Sequence, residues 1–549
     1  MAGKRKIRVA TKVANAHPHG MIFDTLTKSV VDRIRQKTQT PNTNGDAMTD
    51  EPFSIVIRGG TAVLPQGVAR ADIGIRNETI AAISEHLGAG INEINADGRI
   101  VAPGGVDPHA HIEQISGGGL LNADNFESAT TAAAFGGTTT VIPFAAQHVG
   151  RALDRVVADY HNLADRGAVI DYAFHMILAD PSELTLKTHL PKLVKEGHSS
   201  IKVFMTYDRI KLDDEQMLDV LAAARDNGAL VCVHAENHGM ISFMSKRLVT
   251  NGLTTPSAFW MSHPRLAEVD AIQRLVAMSQ LVDQPIMVFH VSTAEGAEVV
   301  RKARTDGVKL FGETCPHYLL LTADDANKPG LEGAKWMCSP SLRTASDQDA
   351  LWQALARDDL QVLSSDHAPY RFDASGKLSA GANPTFKQIA NGLPGLEVRL
   401  PLLFDAAVMQ GRLGLERFVE LTSTAPAKLY GLYPKKGALA VGSDADIAIW
   451  NATKTVQLSS SMLHDRAGYT PYEGRVLKGW PETVLSRGRV AVREGTLHVT
   501  PGSGRFLARA AGEAAKPLGR PSAEFAHSIA RPTQGSAPQW RDLSHAKAV

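Results

Sequence analysis

Between residues 106 and 366 the chain repeats one unit: a short apolar run, then a longer stretch with apolar residues at helical spacing. That alternation favours a parallel sheet whose strands are joined by helical crossovers. The expected strands are 106–112, 138–145, 170–178, 200–207, 230–235, 286–292, 309–315 and 361–366. Eight such units close a (β/α)8 barrel of the TIM type, an α/β fold. Helices are expected over 153–166, 213–227 and 265–282. In such a barrel the chemistry gathers at the carboxyl ends of the strands. Several runs end there in groups that bind metals: His109 and His111, Lys202, His234, His290 and Asp366. Alternate residues of a strand share a face, so His109 and His111 can point at one ion. A single histidine after an apolar run is ordinarily a core residue, but recurrence at strand ends reverses that reading.

The rest of the chain places this barrel in a larger protein, since 549 residues exceed one ordinary core. Residues 48–102 and 433–500 carry short strands and glycine turns, which read as one composite β-sandwich built from both chain ends. The barrel then occupies 103–432. Residues 1–47 read as a poorly ordered N-terminal extension ahead of Met48, and 501–549, rich in Ala, Arg, Ser and Pro, as an extended arm or tail. With 58 basic against 57 acidic residues, no field draws the molecule toward nucleic acid or membrane, and the expected partner is a small molecule. The basic run Lys4-Arg5-Lys6 lacks interleaved aromatics and reads as a solvated tail. No apolar stretch approaches the roughly 20 residues of a membrane span, and the basic N-terminus lacks the core of a signal peptide. Three cysteines without CxxC spacing fit a reducing compartment and argue against a thiolate zinc site, so a cytoplasmic protein is expected. Cys232, two residues before His234, reads as a buried thiol, and no GxS nucleophile elbow supports Ser–His hydrolysis.

Imidazole and carboxylate ligands suit zinc or a similar divalent ion. Lys202 is the odd member, because an ammonium repels a cation. A lysine kept neutral by burial can instead add carbon dioxide to give a carbamate whose two oxygens can bridge two metals. Charge counting agrees: two divalent ions offset by a carbamate, the Asp366 carboxylate and a hydroxide leave about +1 rather than about +4.

The motifs Pro103-Gly-Gly-Val-Asp-Pro-His-Ala-His-Ile-Glu113, Ile201-Lys-Val-Phe-Met-Thr-Tyr207, Val233-His-Ala-Glu-Asn237, Phe289-His-Val-Ser-Thr-Ala-Glu295, Glu313-Thr-Cys-Pro-His-Tyr-Leu319, Met337-Cys-Ser-Pro340, Ser364-Ser-Asp-His-Ala-Pro369 and Asn391-Gly-Leu-Pro-Gly395 occur in this order. Together they resemble the dihydropyrimidinase and D-hydantoinase family of the amidohydrolase superfamily, from about residue 53 to 500. The resemblance implies that His109, His111, Lys202 and Asp366 bind one metal and Lys202, His234 and His290 the other, with Lys202 the carboxylated bridge. It implies that Tyr207, Ser339 and Asn391 hold a cyclic amide or ureide, Ser339 and Asn391 largely through backbone groups. On that resemblance a bridging hydroxide would attack the ring carbonyl, the more exposed metal and Tyr207 would stabilise the oxyanion, and Asp366 would carry the proton to the departing nitrogen, giving an N-carbamoyl amino acid. A homotetramer is implied as well.

Which ring is opened depends on details that depart from the family pattern. Dihydroorotases and allantoinases typically carry Arg where this chain has Glu113, which favours a neutral dihydropyrimidine, hydantoin or cyclic imide. Residues 114–122 replace the usual loop after the first strand, and Gly117-Gly118-Gly119 suggest a mobile cover. Asp208 stands where lysine often follows the tyrosine, and His238 where glycine is common. Of the unclaimed histidines, His175 reads as core, and for His367 a support of the ligand before it is the lesser reading. Allantoin or a cyclic imide is the alternative substrate. A noncatalytic scaffold resembling the collapsin response mediator proteins is the remote one, because all six expected ligand types are present.

Overall fold

The computed structural model describes residues 52–116, 119–510 and 512–529. The expected extension over 1–47, two glycines of the expected cover (Gly117 and Gly118) and residues 530–549 lie outside the described residues.

Five strands precede the barrel: β1 (Phe53–Leu64), β2 (Gly67–Arg76), β3 (Thr79–Ser84), β4 (Gly90–Asn95) and β5 (Ile100–Pro103). A register shift between Ile57 and Gly60 bends β1, which pairs antiparallel with β2 and lies parallel to β4 and then β5. The barrel strands are β6 (Gly105–Ala110), β7 (Thr138–Ala146), β8 (Asp171–Tyr172), β9 (His175–Ile177), β10 (Ser200–Phe204), β11 (Leu230–His234), β12 (Ile286–Val288), β13 (Leu310–Thr314) and β14 (Val362–Leu363). Four more follow it: β15 (Ile447–Gln457), β16 (Val476–Ser486), β17 (Arg489–Arg493) and β18 (Thr496–Leu497).

Strand β15 pairs antiparallel with β5, so both chain ends join in one mixed sheet ordered β18-β17-β16-β15-β5-β1-β2-β3, with β4 beside β1. The alternating apolar residues of these strands meet in one core that includes Ile57, Ile73, Ile75, Val101, Ile447, Ile449 and Leu485.

The barrel strands run parallel in the order β6-β7-β9-β10-β11-β12-β13-β14. Their residues are buried on both faces, which is why they read as continuous apolar runs. The run expected over 170–178 is split into β8 and β9, but both pieces pair with β7 and fill one position of the barrel. Closure between β14 and β6 comes from loop residues rather than a long ladder: Ala110 bridges His367, and the His111 N–H donates to the His367 carbonyl at 2.7 Å. Behind the seam the Asp107 carboxylate accepts from the Ser365 N–H at 3.1 Å, and buried Arg399 donates to the Val106 and Leu363 carbonyls.

The crossover helices lie close to their expected places, at Leu153–Gly167, Asp214–Asn227 and Arg265–Val282. Asp213 precedes the second as its N-cap, its carboxylate accepting from the Gln216 N–H at 2.9 Å. After Pro501 the described chain lies against the barrel as an arm. The Leu507 N–H donates to the Tyr172 carbonyl at 2.7 Å, the Arg509 N–H to the Gly197 carbonyl at 3.0 Å, and the buried Arg509 guanidinium to Ser200 Oγ at 3.0 Å. These partners sit at the amino ends of the strands, opposite the candidate ligands. Among the described residues no helix is long and apolar enough to cross a membrane.

Candidate metal centre

Strand β6 carries His109, and His111 lies just past its end. Asp366 follows β14 with φ 44°, His290 follows β12 with φ 40° and Tyr207 follows β10 with φ 75°. Left-handed backbone costs a non-glycine residue about 1–2 kcal/mol and persists where the surroundings over-determine it, a pattern that clusters at functional sites. Asp366 Oδ1 lies 3.1 Å from His109 Nε2 and 3.4 Å from His111 Nε2. One ligand atom from each of the three lies within 4.8 Å of the others. The remaining ring nitrogens are engaged from behind: His109 Nδ1 is 2.6 Å from Glu313 Oε1, and His111 Nδ1 is 2.7 Å from Gln114 Oε1. Both Nε2 atoms are therefore aimed at Asp366, the geometry expected of imidazoles set up for an ion.

Lys202 lies within β10 with no exposure, and its Nζ has no hydrogen-bond partner among the described residues. The Phe289 ring centroid is 4.1 Å away and that of Phe204 5.0 Å. Burial lowers its pKa to about 8, although Glu313 and Asp366 pull the other way. His234 turns Nε2 to Glu236 Oε2 at 2.7 Å, which leaves Nδ1 as its possible ligand atom. The His234 and His290 rings lie 4.4 Å apart by centroids, and those of His109 and His290 5.4 Å. His290 Nδ1 is buried without a partner among the described residues. Burial pulls the His290 pKa well below its ordinary value, with His234 and Lys202 adding to the effect. Burial also lowers the pKa of His109, but the Glu313 and Asp366 carboxylates outweigh it and hold the group at about 9. Burial would raise the Asp366 pKa, yet His109 and His111 hold it well below the carboxylate range. The His109, His111 and Asp366 cluster, the neighbouring imidazoles of His234 and His290 and a buried lysine without a partner among the described residues make a donor set of the kind that suits a divalent ion.

The expected substrate-side residues flank this cluster. The Tyr207 ring meets His234 edge-on at 5.2 Å, and burial raises the pKa of its hydroxyl, so the phenol stays protonated. Ser339 Oγ donates to Glu236 Oε2 at 2.9 Å, so its side chain is already occupied. Asn391 Oδ1 is buried without a partner among the described residues, and the next N–H, of Gly392, donates to the Met337 carbonyl at 2.9 Å.

Three carboxylates were not singled out as functional in the sequence. Glu236 joins His234, Ser339 and His263, whose Nδ1 lies 2.9 Å from Glu236 Oε1. Burial would raise the Glu236 pKa, but His263 and His234 hold it well below normal. Glu313 backs His109, and Asp124 Oδ2 lies 3.0 Å from His367 Nε2. His367 Nδ1 accepts from the Gly395 N–H at 3.1 Å, which fixes its tautomer, and its carbonyl holds His111. His367 therefore supports the ligand strand through its backbone. His175 is a core residue whose Nε2 lies 2.8 Å from the Pro108 carbonyl, and Cys232 faces the Tyr430 hydroxyl at 3.7 Å. Glu113 accepts from the Phe126 N–H at 3.3 Å, at the start of the helix Phe126–Phe135, where a carboxylate is favoured. Asp208 and His238, two of the departures from the family pattern, meet at 3.1 Å.

The amidohydrolase family model matches residues 100–491. A D-hydantoinase from Ralstonia pickettii is 40% identical over 458 residues, spanning 83% of this chain and 99% of the relative. Among solved structures, a D-hydantoinase from a Bacillus sp. AR9 superposes with a TM-score of 0.80 at 40% identity, covering 84% of this chain and all of its own. A dihydropyrimidinase from Brevibacillus agri NCHU1002 gives a TM-score of 0.81 at 38% identity, covering 83% and 99%.

Proposed function

The chain belongs to the amidohydrolase family, and from that premise we propose that it opens a cyclic ureide or amide, a 5,6-dihydropyrimidine or a 5-substituted hydantoin, to an N-carbamoyl amino acid. The observation that carries this reading is the meeting of His109, His111 and Asp366 at the closing seam of the barrel, with the His290 ring 5.4 Å from that of His109 and 4.4 Å from that of His234. His109, His111, Lys202 and Asp366 would hold one divalent ion, and Lys202, His234 and His290 a second, with Lys202 carboxylated on Nζ. Bound there, such ions would bring water toward a neutral pKa and polarise a carbonyl oxygen.

The remaining work falls to side chains and backbone. Asp366, kept ionised, is the base that takes a proton from the attacking water and returns it to the departing ring nitrogen. The protonated Tyr207 hydroxyl donates to the carbonyl oxygen as negative charge builds on it. With Ser339 Oγ committed to Glu236, Ser339 and Asn391 would grip the amide through backbone groups. Glu113 lies at a helix start, so no cation stands at that position to select an anionic ring such as dihydroorotate.

Zinc as the ion and a homotetramer as the assembly rest on the resemblance to the family, and elemental analysis with light scattering tests both. The activity test is hydrolysis of 5,6-dihydrouracil and 5-substituted hydantoins by chelated protein before and after zinc and bicarbonate are restored. Metal-dependent release of the N-carbamoyl amino acid is expected. A protein that binds two metals yet opens neither ring class would overturn the substrate assignment.

A further inference from the structure

Lys377 lies in the segment after β14, is fully buried, and forms no ion pair with a carboxylate among the described residues. Its Nζ donates to one carbonyl, that of Ala390, at 2.8 Å. Ala390 immediately precedes Asn391. The turn that follows is wedged between two other site loops. The Gly392 N–H donates to the Met337 carbonyl at 2.9 Å, two residues before Ser339. On its other side Gly392, at φ 141°, approaches so closely that a Cβ there would stand 2.3 Å from the Ala368 carbonyl oxygen, two residues past Asp366. The Ala368 N–H in turn donates to the Leu393 carbonyl at 2.9 Å.

An ammonium buried without a counter-ion is costly, and an apolar side chain of equal length would fill the same space without that cost. Burial pulls its pKa to about 7, with the nearby Cys338 thiol opposing. Fold stability therefore does not explain a lysine here. What Nζ does is hold the carbonyl that fixes where the next peptide group points.

We propose that Lys377 is a positioning residue that sets the backbone of Asn391 against Ser339 through its hydrogen bond to Ala390. The proposal rests on the reading above, in which those two backbones grip the cyclic amide. Lys377 touches no reacting atom, so its loss weakens substrate binding more than turnover.

The test compares full-length wild type with Lys377→Met, zinc and bicarbonate restored. The variant is expected to fold, to bind as much zinc as wild type, and to unfold at an equal or higher temperature. Its amides over residues 386–393 should exchange with deuterium at least about tenfold faster, because backbone exchange reports local opening. KM for whichever ring wild type opens should rise about tenfold with kcat within about threefold, the pattern of lost uniform binding. Unchanged exchange, or faster exchange with unchanged KM, would overturn the proposal. Failure of Lys377→Met to fold would also overturn it, by making Lys377 a structural residue. A wild type that opens none of the rings would defeat the functional reading alone, since exchange over 386–393 still decides whether Lys377 holds the turn.

Discussion

His109 Nδ1 and Glu313 Oε1 lie 2.6 Å apart with neither side chain accessible to solvent. The same carboxylate oxygen accepts from the His290 N–H at 3.4 Å, so Glu313 touches residues expected to serve both metals. It fixes the His109 tautomer and raises the basicity of Nε2. Losses of such supporting partners typically weaken metal affinity by about 10- to 100-fold. Glu313→Gln should therefore lower zinc affinity by about that factor with the circular dichroism of the barrel unchanged, as measured by competition with a chelating dye. Wild-type affinity in the variant would refute this role.

Glu236 makes the corresponding link on the other side, between His234 Nε2 at 2.7 Å and Ser339 Oγ at 2.9 Å. One carboxylate orients both an expected ligand and an expected substrate-binding segment. Glu236→Gln keeps an acceptor but loses the charge and must point an amide N–H at one former donor. We expect both lower zinc occupancy and a higher KM, together costing about 10²-fold in kcat/KM. If zinc restores full kcat/KM when added in excess, the link to Ser339 carries no weight.

The barrel was legible because its strands are buried on both faces and so read as unbroken apolar runs. Its eight positions follow the expected segments even where β14 shrinks to Val362–Leu363. The His109, His111 and Asp366 cluster was legible because each ends such a run. Glu236, Glu313 and Asp124 were not, since a carboxylate with no periodic or spacing signature gives no hint of which histidine it meets. His109 and Glu313 are 204 positions apart. The arm over 503–509 was ambiguous for the opposite reason: its Arg and Ala content resembles solvated chain, and only the backbone groups of Tyr172 and Gly197 reveal a packed partner.

Asp208 and His238 illustrate pairing that separate residues conceal. His238 Nε2 lies 3.1 Å from Asp208 Oδ1, and His238 Nδ1 lies 3.4 Å from Thr206 Oγ1, so one ring spans the residues on either side of Tyr207. Asp208 is 86% exposed, and exposed pairs are worth about 0.2–1 kcal/mol, so the fold does not depend on this contact. A double-mutant cycle with Asp208→Asn and His238→Gln should show a coupling of no more than about 1 kcal/mol in stability. The same cycle scored by kcat/KM should give a coupling of similar size, because both changes act through the Tyr207 loop. Strict additivity in kcat/KM would separate the pair from Tyr207.

Lys202 allows a prediction whose sign follows from its protonation. Only the neutral amine adds carbon dioxide, and burial brings its pKa from 10.5 to about 8 in the metal-free protein. At fixed dissolved carbon dioxide, reactivation of chelated protein should therefore speed up about tenfold per pH unit below about 8 and level off above it. An ordinary lysine would keep accelerating to about pH 10. The same shift bears on stability. Between about pH 8 and 10.5 the unfolded lysine holds its proton while the folded one has released it, so the unfolded state binds more protons and stability rises with pH. Below about 8 the penalty for the buried charge is fully present, and across that window about 3 kcal/mol is recovered. Lys377 adds a rise of the same sign from about pH 7, so the informative quantity is wild type minus Lys202→Met in metal-free protein, where Lys377 cancels. That difference should grow from low to high pH in favour of wild type, while Lys202→Ala should retain the barrel but lose both zinc ions and nearly all activity. A pH-independent difference, or two zinc ions and full turnover in Lys202→Ala, would remove Lys202 from the centre.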